Sequence, residues 1–211
     1  MKNLYNEDYY ERGVESGISG YSNFRWMPEL TIPMCARLVV ILNIKDNETI
    51  LDFGCAKGYI VKAFRLLYKQ AWGVDISKYA ISNAASNISQ YLYLNNFKLQ
   101  NNKLYDWIIA KDVFEHIPYD RIDTILTKLN KSCIKLYCMI PLGEHGKYIV
   151  PCYEQDETHI IRESLDWWEN KFHSNNFEII DSSYSCSYLK SNYKDWKKGN
   201  GFLTLATNEN N

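Results

Sequence analysis

Long apolar runs are missing from this 211-residue chain, and none reaches the ~18 residues that a membrane span needs. Its opening residues show no charged n-region followed by an apolar stretch. The expectation is a cytoplasmic protein without a leader, its thiols reduced. Paired cysteines are also missing. Cys35, Cys55, Cys133, Cys138, Cys152 and Cys186 form no Cys-x-x-Cys, and neither a His-Glu-x-x-His nor a paired Cys/His spacing occurs. These spacings predict no zinc site, no iron–sulfur cluster and no other metal. An excess of positive charge is absent too: 24 Lys and Arg stand against 25 Asp and Glu, a net charge of −1. That leaves no broad basic surface for a phosphate backbone, which disfavours nucleic acid as a partner. Nothing in the composition sets the oligomeric state.

Two well-known phosphate loops are absent as well. Neither Gly-x-Gly-x-x-Gly nor Gly-x-x-x-x-Gly-Lys-Ser/Thr can be found. What stands in their place is Thr49-Ile50-Leu51-Asp52-Phe53-Gly54-Cys55-Ala56-Lys57-Gly58, read as strand, tight loop and helix. Gly54 and Gly58 let backbone approach a ligand or adopt positive φ without a Cβ penalty. The helix starting near Lys57 aims unpaired N–H groups and partial positive charge into the loop. Asp52 offers a carboxylate to a cationic group there. All three features suit a small molecule held at the carboxyl end of a strand.

Leu51 to Gly58 resembles the first motif of the class I S-adenosylmethionine (SAM)-dependent methyltransferases. A nicotinamide-linked oxidoreductase is the rival on a related sheet, and the glycine spacing speaks against it.

The rest of the chain bears on that resemblance. Residues 1–30 interleave Tyr5, Tyr9, Tyr10, Tyr21, Phe24 and Trp26 with Gly13, Gly17, Gly20 and charges, without a sustained period. This aromatic arm is either a tether packed on the surface or a lid that closes over a site. A helix follows from Thr31 or Pro33, with Met34, Leu38, Ile41 and Leu42 on one face. After the strand at 49–53, a helix over 57–69 is expected to bury Ile60, Ala63, Phe64 and Leu67. Ala71-Trp72-Gly73-Val74-Asp75 reads as a second strand, and Asp75 lies about 20 positions after Gly54, the offset at which an acid meets ribose hydroxyls. A plain N-cap is the alternative, a role Ser77 can also fill. A helix over 78–89, with Ile81, Ala84, Ala85 and Ile88 on its inner face, and a short third strand at 91–94 come next. Asn95, Asn96 and Gln100 are polar enough to meet an adenine edge, and none stands out.

Asp106 to Ala110 is a fourth strand that runs into Lys111-Asp112-Val113-Phe114-Glu115-His116-Ile117-Pro118. That segment resembles the family's Asp-Val-Leu-Glu-His-Ile/Val-Pro signature, typical of members acting on small molecules. Neither the Asn/Asp-Pro-Pro-Tyr of DNA amino-methyltransferases nor the Pro-Cys of DNA cytosine C5 enzymes appears at this strand end. Ile122, Ile125, Leu126 and Leu129 mark a helix, 133–140 a fifth strand, and 141–148 a turn-rich loop. Asp156-Glu157-Thr158-His159 resembles the Asp-x-Thr-His element before the last major helix of many small-molecule methyltransferases. That helix spans 164–175, is capped by Ser164 and buries Leu165, Trp168 and Phe172. Strands at 177–187 and 201–206 close the chain, leaving a frayed tail at 207–211.

The alternation predicts an α/β, doubly wound, mostly parallel sheet with an antiparallel edge strand and helices on both faces. The resemblance covers 31–206 and implies a seven-stranded Rossmann-like sheet of order 3-2-1-4-5-7-6. It also implies SAM as cofactor, with Asp52, Gly54, Cys55 and Gly58 around its amino-acid moiety, Asp75 on the ribose, Ile76 against the adenine, and Asp112 and Val113 at the methionine end. Cys55 would act through its backbone.

A general base helps only where the acceptor must lose a proton. His159, in the element that resembles the family's, is the first choice for base or substrate anchor, and His145 in its Gly-flanked loop the second. Tyr148, Glu144 and Tyr153 occupy loops that can line an acceptor pocket. His116 is read as fixing the turn after the fourth strand, and His173 as solvated. The expected activity is methyl transfer to an O or N of a small polar metabolite or sugar. The alternatives are a SAM- or nucleotide-binding module without turnover and a methyltransferase on a macromolecular acceptor.

Overall fold

A computed structural model describes residues 4–94 and 104–207. Asn95, Asn96 and Gln100 therefore lie outside the described residues, as does the tail beyond Thr207. The chain divides into two compact units, Met1–Leu99 and Gln100–Asn211.

The first unit begins with a short helix α1 (Glu7–Glu11), whose Asn6 cap accepts the Tyr9 N–H, and a single turn α2 (Gly13–Ser16) that stops at left-handed Gly17. Helix α3 (Pro28–Ile41) starts earlier than Thr31 because Pro28 occupies the first helical position, where its missing N–H costs nothing. Cys35 and Leu38 are its buried residues. Strand β1 (Thr49–Phe53) leads to α4 (Tyr59–Leu66), which is delayed past Lys57 by the left-handed Gly58 and buries Val61, Ala63 and Phe64, whereas Ile60 in its first turn and Leu67 at its C-cap are only half-buried. Strand β2 (Gln70–Asp75) lies parallel to β1, from Thr49 opposite Gln70 to Phe53 opposite Val74. Helix α5 is short, Lys78–Ser82, and does not run to 89. The Asn83 amide donates to the Tyr79 carbonyl, taking up an acceptor at the helix end in the way that makes Asn and Ser poor helix interiors. Ile88 is buried all the same, and β3 (Leu92–Leu94) pairs parallel to β2.

In the second unit, β4 (Tyr105–Lys111) and β5 (Cys133–Pro141) run parallel, with α6 (Ile122–Asn130) between them in sequence. Ile122, Ile125, Leu126 and Leu129 are all buried, as their spacing predicts. A two-residue ladder, Gly143–Glu144 against Lys147–Tyr148, occupies the turn-rich loop. Helix α7 (Leu165–Ser174) is capped by Ser164, whose side chain accepts from Trp167 N. It carries Trp168 and Phe172 into an aromatic cluster with Phe114 and Phe177. Strands β6 (Phe177–Ser183) and β7 (Asn200–Thr207) are antiparallel to each other, and β7 is antiparallel to β5. The last described pair, Phe177 with Thr207, keeps Thr207 inside the strand.

The seven strands order as β3-β2-β1-β4-β5-β7-β6, the expected Rossmann-like arrangement of a mostly parallel sheet with an antiparallel edge. Phe172→Ala should cost about 3–5 kcal/mol by emptying the aromatic cluster, whereas Ser164→Ala should cost about 1 kcal/mol through the lost cap. Urea unfolding of the two variants reads the difference, and equal losses would contradict the packing described.

Candidate active site

The sequence Phe53-Gly54-Cys55-Ala56-Lys57-Gly58 turns from β1 into α4 through three left-handed residues: Gly54 (φ 78°), Ala56 (φ 48°) and Gly58 (φ 77°). Ala56 is the costly one, since a Cβ disfavours that region. Three contacts hold the turn in place: Gly54 N and Cys55 N both donate to Val74 O, at 2.9 and 3.0 Å, and Ala56 N donates to Asp75 Oδ2 at 2.7 Å. The other oxygen of Asp75 accepts from Ser77 N, also at 2.7 Å. The strand-end carboxylate thus ties the glycine loop to the start of α5. Burial raises the Asp75 carboxyl, and the N–H groups of Ser77, Ala56 and Ile76 pull it partly back.

Gly58 is also sterically required, because a Cβ there would sit 2.5 Å from Leu92 Cδ1. The same applies to Gly73, where a Cβ would lie 2.7 Å from Cys55 Cβ and Sγ. Cys55 is consequently packed against bare backbone, and burial pushes its thiol well up. It is inert as a nucleophile. Asp52 is buried in β1, and Ile76 is half-buried.

The aromatic arm closes on this loop within the first unit. Lys57 is buried, and its ammonium donates to Glu11 Oε1 at 2.5 Å and to Phe24 O at 2.8 Å. Tyr59 Oη donates to Phe24 O, Tyr79 Oη to Glu11, and Ser77 Oγ to Tyr5 O at 2.6 Å. Tyr9 and Tyr10 form a buried cluster with Ala80, against which Tyr5, Phe24, Ala56 and Tyr79 pack. Burial, then the neighbouring Asp75 carboxylate, push the Tyr10 phenol up, so it stays neutral.

In the second unit, Asp112 follows β4 with φ 53°, its N–H bonded to Met139 O. Its carboxylate is gripped by the ammonium groups of Lys111 and Lys190. Burial alone would raise this carboxyl; the two lysines outweigh it and hold it far below the ordinary carboxylate range. Lys190 also reaches Asn200 Oδ1 at 2.8 Å and Tyr153 Oη at 3.1 Å, and Tyr153 Oη donates to the same Asn200 oxygen at 2.7 Å. Lys190, Tyr193, Trp196 and Asn200 are among the residues lining a cavity of about 370 Å³.

His159 is buried, with Nδ1 2.7 Å from Tyr153 O, and its ring packs edge-on against Tyr148 and Tyr153. Tyr148 Oη donates to Ile161 O. His116 Nδ1 meets Thr158 Oγ1, so the two sequence elements that carry these histidines interlock. Burial lowers both imidazoles, His116 to about 4, and raises Glu115 well above its ordinary value. His145 and Glu144 stand exposed on the ladder's turn, away from this packing. The second unit therefore brings Asp112, Tyr153, Tyr148 and His159 together. Lys190 and Asn200 are the residues that sequence reading passed over. The one signal for Lys190 was the Lys- and Tyr-rich stretch 184–198 between the two closing strands, and Asn200, the first residue of β7, had none.

A family model described as a methyltransferase domain matches residues 25–191. No curated protein matches the chain. Among solved structures, a SAM-dependent methyltransferase from Archaeoglobus fulgidus aligns with TM-score 0.65 at 12% identity, over 85% of this chain and 97% of that one. Magnesium protoporphyrin IX methyltransferase from Synechocystis, with bound S-adenosylhomocysteine, gives 0.62 at 14%, over 98% and 92%. A SAM-dependent methyltransferase from Clostridium acetobutylicum gives 0.61 at 13%, over 86% and 92%. At these identities the structural likeness shows the fold.

Lys57→Met should free the arm from its loop, since it removes both the Glu11 ion pair and the bond to Phe24 O. Hydrogen–deuterium exchange is expected to rise about tenfold or more over residues 5–24, for a loss of about 1.4 kcal/mol or more in local stability. Unchanged protection there would show that the aromatic cluster alone holds the arm.

Proposed function

We propose that this chain, which belongs to the methyltransferase-domain family, methylates an O or N of a small polar metabolite or sugar in the cytoplasm. S-adenosylmethionine is its cofactor, and the chain is a SAM-dependent methyltransferase. When bound, that cofactor supplies a methyl group already activated on a sulfonium, so the protein has only to hold, orient and keep water out.

The residues at the end of β2 fit the ribose of such a molecule. The Asp75 oxygens accept the N–H groups of Ala56 and Ser77 and keep acceptor capacity for a hydroxyl. We assign Ile76 to the adenine and the backbone of Asp52, Gly54, Cys55 and Gly58 to the amino-acid moiety. Asp112 and Val113 take the methionine end through main-chain groups, because the Asp112 carboxylate is already engaged by two lysines. Residues 1–30 act as the lid of a domain spanning 31–206, a reading supported by the Lys57, Tyr59 and Ser77 contacts to the arm.

The observation that carries a small acceptor is the cavity of about 370 Å³, which shares Lys190 and Asn200 with the Asp112 network. Its size suits a small molecule, and its mix of aromatic rings with a few placed polar groups is what orients one. Tyr153, Tyr148 and His159 stand beside that network and handle the acceptor. His145 has no such place, being exposed on a turn. Four of the six cysteines are buried. No helix among the described residues is long and apolar enough to cross a membrane.

Asp75→Ala should weaken SAM binding by about 150-fold or more, as expected for losing a charged acceptor of two hydroxyl bonds at about 1.5–3 kcal/mol each; unchanged affinity by calorimetry would remove the ribose assignment. Methyl-labelled SAM incubated with the enzyme and a cell extract should deliver label to the small-molecule fraction. Trp196→Ala should cut that transfer without changing SAM affinity. Label recovered in RNA or protein instead would establish a macromolecular acceptor.

A further inference from the structure

We propose that Glu115, His116 and His159 form a binding site for one divalent transition-metal ion of the zinc or cobalt type. All three belong to the second unit. The backbone brings them together: Ile160 N and Ile161 N both donate to Glu115 O, at 2.7 and 3.0 Å, which clamps the turn Phe114–His116 against the segment after His159.

Glu115 is completely buried, and neither carboxylate oxygen has a hydrogen-bond partner. A buried acid in that condition needs an explanation, since satisfying such groups is the rule in native proteins. The Nε2 atoms of His116 and His159 each stand 3.9 Å from Glu115 Oε1. That is too long for a hydrogen bond. Two donors that share a tetrahedral ion at about 2.0–2.2 Å from each stand about 3.3–3.6 Å apart, so each imidazole would close on the carboxylate by a few tenths of an ångström when the ion binds. The three ligand atoms lie within 4.8 Å of one another.

Both imidazoles are turned the right way. A carbonyl oxygen only accepts, so the contact of His159 Nδ1 with Tyr153 O places the proton on Nδ1 and a lone pair on Nε2. Thr158 Oγ1 gives its hydrogen to Asp156 Oδ1 at 2.5 Å, so it accepts from His116 Nδ1, and the lone pair is again on Nε2. Outer partners that fix the tautomer of a histidine in this manner are the usual companions of metal ligands. A further carboxylate oxygen, Asp156 Oδ2, stands 4.0 Å from His159 Nε2.

Two imidazoles and one carboxylate select a borderline ion over Mg²⁺ or Ca²⁺, which prefer oxygen throughout. Tyr153 links this cluster to the cavity, through its carbonyl to His159 and its hydroxyl to Lys190 and Asn200. An ion there would lie on the acceptor side of the site; that last step rests on the acceptor reading above, while the ion site itself does not.

The test uses the full, untagged chain, stripped with a chelator and dialysed, without SAM. Calorimetric titration with Zn²⁺ and with Co²⁺ should give one ion per chain, and the cobalt form should show visible bands without a thiolate charge-transfer band. Glu115→Gln and His159→Gln should each lower affinity 100-fold or more. Thr158→Val, which removes only the support of His116, should lower it about 10- to 100-fold. Absence of a one-to-one site in the wild-type chain overturns the proposal, as does affinity unchanged in Thr158→Val and Glu115→Gln, or a thiolate band that places the ion on a cysteine. If Glu115→Gln fails to fold, the wild-type stoichiometry and Thr158→Val decide. SAM affinity measured on the stripped chain reports separately on the cofactor assignment.

Discussion

The Asp75 carboxylate is the constraint on which the turn after β1 depends. A loop with three left-handed residues, one of them alanine, is poorly populated by itself. Asp75 accepts from Ala56 N at the loop's strained residue and from Ser77 N at the cap of the next helix. One side chain therefore fixes the end of β1, the end of β2 and the entry to α5. Its burial makes the charge expensive, and the surrounding N–H groups offset that cost only in part. Such a group is poised to accept further donors, which is what a ligand bearing vicinal hydroxyls provides.

The two acids that follow β4, half-buried Asp112 and fully buried Glu115, are treated in opposite ways. Asp112 has two ammonium partners, Lys111 and Lys190, and stays ionised. Glu115, three residues on, faces two neutral imidazoles and has no hydrogen bond to either oxygen. Lys190 reaches Asp112 from the segment between β6 and β7, so the cavity wall and the strand end are held by one ammonium group. A change at Lys190 would alter both together.

Much of this was legible in the sequence, and the physical reason is locality. Ile122, Ile125, Leu126 and Leu129 sit one above another on a helix face, and Leu165, Trp168 and Phe172 do the same, so periodicity alone identified their burial. Strand order was legible only through resemblance to a known family. What stayed hidden depends on contacts distant in sequence. Lys190 meets Asp112 across 78 positions, and His116 meets Thr158 across 42, separations at which no spacing rule operates. The helix expected over 78–89 failed for a local reason, as Asn83 competes with the backbone where periodic Ile81, Ala84, Ala85 and Ile88 suggested continuation. The arm was legible as aromatic, but its docking on Lys57 needed the fold.

The absence of a metal motif in the sequence and the presence of a ligand-shaped cluster in the structure have one cause. Spacing rules recognise ligands presented by a single helix or knuckle, where the interval between donors is set by local geometry. Here one pair, Glu115 and His116, comes from the turn after β4, and the third donor comes from a segment held to it by two backbone bonds to Glu115 O. The main chain thus does the work that a short motif would otherwise do. Bland packing explains a buried neutral glutamic acid less well, because the two imidazoles beside it are held in the tautomer that leaves lone pairs, not protons, facing the carboxyl. A protonated acid would want an acceptor within hydrogen-bond reach, and both nitrogens stand at 3.9 Å. Three electron-pair donors around a common point are mutually repulsive until something positive joins them.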